Sequence, residues 1–414
     1  YGSGIYCGYR SSPTIRNCTI SNVQVIGGDA GNGGNGGDNS GDDSVAGNGG
    51  NGGDGGVAYG GGIFVDFESR PVISDCTIIN CSATGGDAGY AGNGGNTSGN
   101  GSRGGNGGNG GYNGQAYGGG IHFANNILAT VSNCRIINCS ATAGDAGDGG
   151  DGGGGASSGI PGYGGGYLGE YWKESAYGGG VYSGIDSRIT FEGCTFSNNT
   201  ITGGMSGIGG DAPGSRMPFY RYVIPSYGAG VFCDSASRTT FESCHIAGNA
   251  ADDVYEPTDP NQLVYRLNPY VSFGGGICFL DTNSITITDS NLNNNYATEG
   301  GGLYWDEADD LVLNNTNITN NSAFKGGGIY AIDSAAATIT GCVITGNQAA
   351  YPGGEGGGVY CSSLPVLIAD SEIRFNNADY SGGGLYMSGG ASETKILKNC
   401  LIANNFAHRD GGGI

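Results

Sequence analysis

Positive charge is scarce in this chain. Sixteen Lys and Arg face 37 Asp and Glu, which leaves a net charge of -21. A surface of that sign repels polyanions, so nucleic acid and anionic membranes are not expected partners. No long apolar run occurs, so no segment is expected to span a bilayer. No cysteine pair has the CxxC spacing of a zinc site. The three histidines, His122, His245 and His408, fall at different offsets in different units, and no Ser-His-Asp set can be assembled from them. Amphipathic stretches of helical length that are free of glycine do not recur. What the chain has in quantity is glycine, 91 of its 414 residues.

The glycines are phased. A glycine run followed by an aliphatic residue returns at Ile5, Ile63, Ile121, Val181, Val231, Ile277, Leu303, Ile329, Val359, Leu385 and Ile414. Thirteen residues later comes a second mark: Cys18, Cys76, Cys134, Cys194, Cys244, Ser290, Thr316 and Cys342, drifting to Ser371 and Cys400 in the last units. A fixed offset repeated this often makes each unit one turn of a solenoid. The shortest unit, Leu303 to Ile329, spans 26 residues. That is too short for two packed helices and suits three short strands with turns. Alternation such as Ile329 and Ala331 on one side with Tyr330 on the other is the period of a strand. The expected fold is all-β, a parallel β-helix of about ten coils forming a single solenoid over 1–414.

Inward positions should stack into columns. One holds the aliphatic residues of the glycine phrase. Another holds Ile20, Ile78, Ile136, Phe196, Ile246, Leu292, Ile318 and Ile344. Five residues past the cysteine position runs a polar column of Asn199, Asn249, Asn295, Asn321, Asn347, Asn376 and Asn405, whose amides can bond along the axis. The phrase Asn320-Asn321-Ser322-Ala323 followed by Gly326-Gly327-Gly328-Ile329-Tyr330 resembles the repeat of the chlamydial polymorphic outer membrane proteins. That resemblance implies a right-handed β-helix exported to a bacterial surface, and it carries no catalytic residue with it.

The first units are longer because they hold glycine-rich insertions at 27–59, 85–117, 143–177 and 203–227; a further loop insertion covers 252–273. The first insertion reads in triplets, with Asp29, Asn32, Asn35 and Asp38 at every third place outbound and Asn48, Asn51 and Asp54 on the return. A period of three matches the polyproline II helix. With glycine at the other two places, neighbouring arms can approach and share backbone hydrogen bonds, and the third side chain points away. This resembles the polyglycine II bundles of some antifreeze and phage-adhesin proteins. Equal insertions on successive coils would stack as a block beside the first coils. The edges look finished: Tyr163, Tyr167, Tyr171 and Trp172 mark the third return, and Met205 and Ile208 take the third place in the fourth arm.

Thirteen cysteines is an odd number, so at least one is unpaired within a chain. Stacked side chains with parallel vectors are poorly aimed for a bridge, and buried thiols are the expected state. Chemistry is harder to find. Glu192 and Glu242 occupy equivalent positions on neighbouring coils, with Arg188 and Arg238 nearby. A carboxylate pair could serve a glycosidase, yet a solvated face of compensating charges explains them as well. Asp306, Glu307, Asp309 and Asp310 could attract calcium but lack the pattern of a dedicated loop. No catalytic or metal-binding residue is assigned, and no cofactor is expected.

The residue after each aliphatic gives an aromatic stripe: Tyr6, Phe64, Tyr182, Phe232, Tyr304, Tyr330, Tyr360 and Tyr386, with His122 and Cys278 in the same column. It reads either as a ladder that stabilises the sheet or as a docking surface for a glycan or a neighbouring protomer. The leading expectation is an extracellular or cell-surface structural and adhesive solenoid without catalysis. Surface glycans are candidate partners. Both ends stop in the same phase of the repeat without a polar cap, as expected either of a window on a longer polypeptide or of protomers that associate head to tail into a filament, the arrangement favoured here. The alternatives are a polysaccharide lyase or hydrolase, and a glycan- or ice-binding module.

Overall fold

The computed structural model describes residues 4–160, 175–211, 223–251, 272–281, 284–350, 352–390 and 393–414. Parts of three insertions, 161–174, 212–222 and 252–271, lie outside the described residues, and with them Tyr163, Tyr167, Tyr171 and Trp172. Three 10-stranded sheets run the length of the solenoid. The first goes from Ile5–Cys7 to Leu385–Ser388, the second from Thr14–Arg16 to Lys395–Lys398, the third from Thr19–Ser21 to Leu401–Ala403. Successive strands pair parallel and in the register of the repeat, with Ile63 against Ile121, Val231 against Ile277 and Ile329 against Val359. The chain is a parallel β-helix of ten coils.

Strands form because apolar residues alternate. In Arg188–Glu192, Ile189 and Phe191 are buried while Arg188 and Glu192 face solvent. The strands end where a residue takes a left-handed conformation, and Asn or Asp supply it at least steric cost. This explains the Asn-Asn pairs of the sequence. Asn198, Asn294, Asn320 and Asn404 turn the chain with φ near 52–54°. The next residue, Asn199, Asn295, Asn321 or Asn405, turns inward.

The inward asparagines form a continuous hydrogen-bonded ladder. Asn321 donates its side-chain amide to Asn347 Oδ1 and to the Leu292 carbonyl, each at 3.0 Å, and its backbone N–H to the same Asn347 oxygen at 3.0 Å. The same triad recurs at Asn199, Asn249, Asn295, Asn347 and Asn376. A buried amide left unbonded costs about 1–3 kcal/mol, so each rung depends on its neighbours. Toward the first coils the column changes chemistry. Cys139 donates its N–H to Asn199 Oδ1 at 2.9 Å, and Cys81 sits one coil earlier. These cysteines continue the asparagine column with small thiols. All 13 cysteines are unbridged. Burial pushes the Cys342 and Cys361 thiols up to about 11, which keeps them neutral and apolar in character.

The glycine-rich arms are held by backbone. Within the first insertion the return arm bonds the outbound arm antiparallel: Gly47, Gly50, Gly53 and Gly56 donate to the carbonyls of Gly37, Gly34, Gly31 and Gly28 at 2.8–3.0 Å. The second insertion bonds the first in the same way, with Gly86, Gly89, Gly92 and Gly95 donating to Gly56, Gly53, Gly50 and Gly47. The third repeats it through Gly144, Gly147, Gly150 and Gly153 onto Gly114, Gly111, Gly108 and Gly105. Parallel arms of successive coils are linked as well, by Gly33 and Gly36 donating to the carbonyls of Tyr90 and Asn93 at 2.8 Å.

The third-place side chains have a use that their spacing alone did not reveal. Asp29, Asn32, Asn35 and Asp38 accept through Oδ1 the N–H of the equivalent residues Asp87, Tyr90, Asn93 and Asn96 one coil later, at 2.7–3.0 Å. The return arm does the same, and so does the third outbound arm, whose Asp145 and Asp148 accept from Met205 and Ile208. Those third-place side chains therefore do not simply point away; they lock each arm to the next. Met205 and Ile208 have no side-chain oxygen to hand on, so at those positions the hand-over ends.

Candidate functional site

The aromatic stripe lies on the outer side of the first sheet, and a second column covers much of it. Tyr59, Tyr117, Tyr177, Tyr227 and Phe273 stack along the axis with centroids 5.0–5.4 Å apart. They sit on the short strands that precede each glycine phrase, such as Ala116–Tyr117 and Ala176–Tyr177. Rings of the two columns meet edge to face, Tyr117 on Tyr182 at 5.0 Å and 78°. Its signal in the sequence is an Ala-Tyr, Ser-Tyr or Ser-Phe pair just before the glycines.

Each residue of the stripe can now be placed. Phe64, Tyr182, Phe232, Tyr304, Tyr330 and Tyr360 are buried, Phe232 to 1% exposure, while Tyr6 is 53% exposed. Tyr386 is half-buried. Tyr304, Tyr330, Tyr360 and Tyr386 stack face to face at 4.8–5.2 Å. Their ring faces are taken by one another, which is the geometry of a stabilising ladder. His122 belongs to it as a ring, stacked 4.9 Å from Phe64 and 4.8 Å from Tyr182. Burial lowers its pKa to about 3, so it stays neutral.

The ladder is interrupted at Cys278, the column's one thiol. Near this break a cleft of about 510 Å³ opens between the columns and the turn that follows the first sheet. Tyr117, Tyr177 and Phe232 form its walls, and Asp234, Asp281, Asp306 and Glu307 also line it. Tyr182 donates its hydroxyl to Asp234 Oδ2 at 2.6 Å, and Tyr304 donates to Asp306 Oδ2 at 2.9 Å. Ser235 donates its N–H to the other oxygen of Asp234 at 2.7 Å. Desolvation raises Asp306 to about 6 despite the Tyr304 bond, with Glu307 and Asp333 adding repulsion. Beside it Glu299 is raised to about 7, by burial first and then by Asp306, against the opposing pull of Lys325.

The other carboxylates do not converge on this cleft. Glu192 and Glu242 pair in register on exposed strand ends, with Arg188 and Arg238 paired four residues earlier. Asp309 and Asp310 are exposed and do not line the cleft, so the acidic patch read from the sequence is split. Among the described residues no group of three or more His, Cys, Asp or Glu is arranged to hold a metal ion.

A profile of the right-handed β-helix region matches residues 172–350 and 275–414, together more than half of the chain. The chain belongs to the right-handed β-helix family. The match supplies the hand of the solenoid, in accord with the handedness of parallel crossovers. Among solved structures, this β-helix is similar to the periplasmic alginate epimerase AlgG at 9% identity, over 82% of this chain and 70% of that one, with a TM-score of 0.31. It is also similar to the receptor binding domain of the siphovirus 9NA tailspike at 11% identity, over 95% of this chain and 73% of that one, with a TM-score of 0.14. No curated protein matches the sequence.

Proposed function

We propose that this β-helix is an extracellular structural and adhesive solenoid that binds surface glycans without transforming them. Its glycine-rich arms are polyglycine II-like helices, packed as a block that braces the first four coils. The observation that carries this reading is the hand-over of hydrogen bonds from arm to arm by Asp and Asn at every third place. Polar side chains that would otherwise be free for chemistry are used for stacking, as the asparagine ladder also shows. A net charge of -21 and the lack of a long apolar helix among the described residues suit a surface in contact with bulk solvent.

A second reading, a polysaccharide-active enzyme, is favoured by one observation. Glu299, raised to about 7, keeps a proton near neutral pH as a general acid must, and Asp306, raised to about 6, stands near it beside the aromatic walls. One experiment separates the two. The full chain is incubated with neutral, uronic and amino polysaccharides, and the products are read by mass spectrometry and NMR. The structural reading expects retention of glycan and no cleaved, eliminated or epimerised product. Turnover that disappears in Asp306→Asn would replace it with the enzymatic one.

A further inference from the structure

The glycine-rich arms carry nine Asn-Gly pairs. Asparagine followed by glycine is prone to one self-contained reaction, attack of the glycine nitrogen on the asparagine Cγ, because no side chain at the second residue stands in its way. Two freedoms are needed. The glycine N–H must be released from any carbonyl, and the side-chain amide must be able to swing over the backbone. Seven of the pairs lack the first. Gly33, Gly36, Gly49 and Gly52 in the first insertion, and Gly94, Gly107 and Gly114 in the second, donate to backbone carbonyls at 2.8–2.9 Å. Six of these seven lack the second as well. The Oδ1 atoms of Asn32, Asn35, Asn48, Asn51, Asn93 and Asn106 each accept a backbone N–H of the next coil at 2.8–3.0 Å.

Asn100–Gly101 is held in neither way. It forms the turn at the tip of the second insertion, where both residues are exposed and Gly101 takes a φ of 70°. Asn100 is anchored by its backbone. Its N–H donates to Oδ1 of Asp42, 58 residues earlier, at 2.8 Å, and its carbonyl accepts from the Asp43 N–H at 2.8 Å. Its side chain makes no hydrogen bond among the described residues, and the Gly101 N–H donates none. Asp43 Oδ1 stands where a Cβ on Gly101 would be, so this position is restricted to glycine. We infer that Asn100 is a site of spontaneous modification, deamidated through a succinimide while the packed arms protect the seven bonded pairs. A C–N bond forms between Gly101 N and Asn100 Cγ. The Cγ–Nδ2 bond breaks, and ammonia leaves with the proton that Gly101 loses. Water then opens the ring at either carbonyl and yields aspartate or isoaspartate. The tip gains a carboxylate beside Asp42 and Asp43, and the isoaspartate form adds a methylene to the main chain of the turn. The product accumulates with time and marks the age of the chain.

Peptide mapping by mass spectrometry tests this on the full chain, sampled over weeks of incubation in neutral buffer. Asn100 should convert at least about tenfold faster than any of the seven bonded pairs. That is a difference of about 1.4 kcal/mol in activation free energy, the order of a hydrogen bond that must open before attack. Aspartate and isoaspartate should both appear at position 100, and the rate should rise with pH, since the attacking nitrogen must lose its proton. In the chain unfolded by guanidinium every Asn-Gly pair is equally free, and the advantage of Asn100 should vanish. Conversion of Asn100 no faster than the seven in the folded chain would overturn the inference. So would an equal advantage in the unfolded chain, because its cause would then be local sequence and not the bonding of the arms.

Discussion

The solenoid and its glycine-rich arms solve one stacking problem in opposite ways. In the solenoid, successive coils are joined by strand pairing, and the interior is filled by side chains such as Ile121, Phe191 and Trp305, all fully buried. Burial of each contributes roughly 1.5–3 kcal/mol. In the arms there is no interior to fill. Backbones lie so close that a Cβ on Gly92 would overlap the carbonyl of Gly34, and one on Gly108 the carbonyl of Gly50. Cohesion there comes from N–H to C=O bonds and from the Asp and Asn oxygens. The comparison teaches that one repeat can propagate through side-chain volume in one part of its coil and through the absence of side chains in another.

The sharpest way to break the comparison is to add a methyl to an arm. Gly92→Ala puts a Cβ into the Gly34 backbone and should cost about 3 kcal/mol, the upper part of the range for overpacking. Gly34→Ala meets open space and should change stability by less than about 0.5 kcal/mol. Calorimetric melting of the two variants checks both. Equal effects would mean that the arms are not packed as described.

A second test removes a rung from the solenoid. Asn321→Ala removes the oxygen that accepts from the backbone and side-chain N–H of Asn295 and the amide that donates to the Leu292 carbonyl and Asn347 Oδ1, and should destabilise by about 3 kcal/mol, as buried polar groups lose bonds. Denaturant melts would show it as a shift in midpoint. Cys139→Asn is the converse. It extends the ladder by one rung toward the first coils and should alter stability by less than about 1 kcal/mol, since one new bond offsets the repacking.

Much of the solenoid was legible in the sequence because its period is carried by residue type. The glycine phrase, the cysteine mark and the asparagine column each fall on a fixed offset, and an offset in one dimension becomes a column in three. The fate of the aromatic stripe was less legible. Tyr330 and Tyr360 alternate outward as read, but outward in a β-helix is not the same as exposed. The short strand before the glycines brings Tyr177 over Tyr182 and Tyr227 over Phe232, and in the later coils the rings cover one another. The cleft was hidden for a different reason. Tyr117, Asp234 and Asp306 are far apart in sequence and meet only when coils are stacked. The third-place Asp and Asn were seen as a period, but their role needed the neighbouring arm, because an acceptor is defined by the donor it faces.

A third test concerns pH. Glu299 and Asp306 have folded-state pKa values raised to about 7 and about 6, from 4.5 and 3.8. A carboxyl raised on folding binds its proton more tightly in the folded state, so stability falls as pH rises from the unfolded value through the folded one. Stability should therefore increase as pH is lowered from 8 to about 5, with Lys325, Glu307, Asp333 and Tyr304 as the groups facing the pair. Glu299→Gln should flatten that slope. A melting temperature that drops steadily over this interval would contradict the assignment.

Amide hydrogen exchange, resolved residue by residue, tests the two-mode account most directly. Gly86, Gly89, Gly92 and Gly95 donate bonds inside the block, whereas the equivalent Gly28, Gly31, Gly34 and Gly37 donate none among the described residues. The account predicts slow exchange for the first four, comparable to strand residues such as Ile121 and Ile329, and exchange near the unfolded rate for the second four. Fast exchange of all eight glycines, in a chain whose strands stay protected, would show that the arms are not a packed lattice and would contradict it.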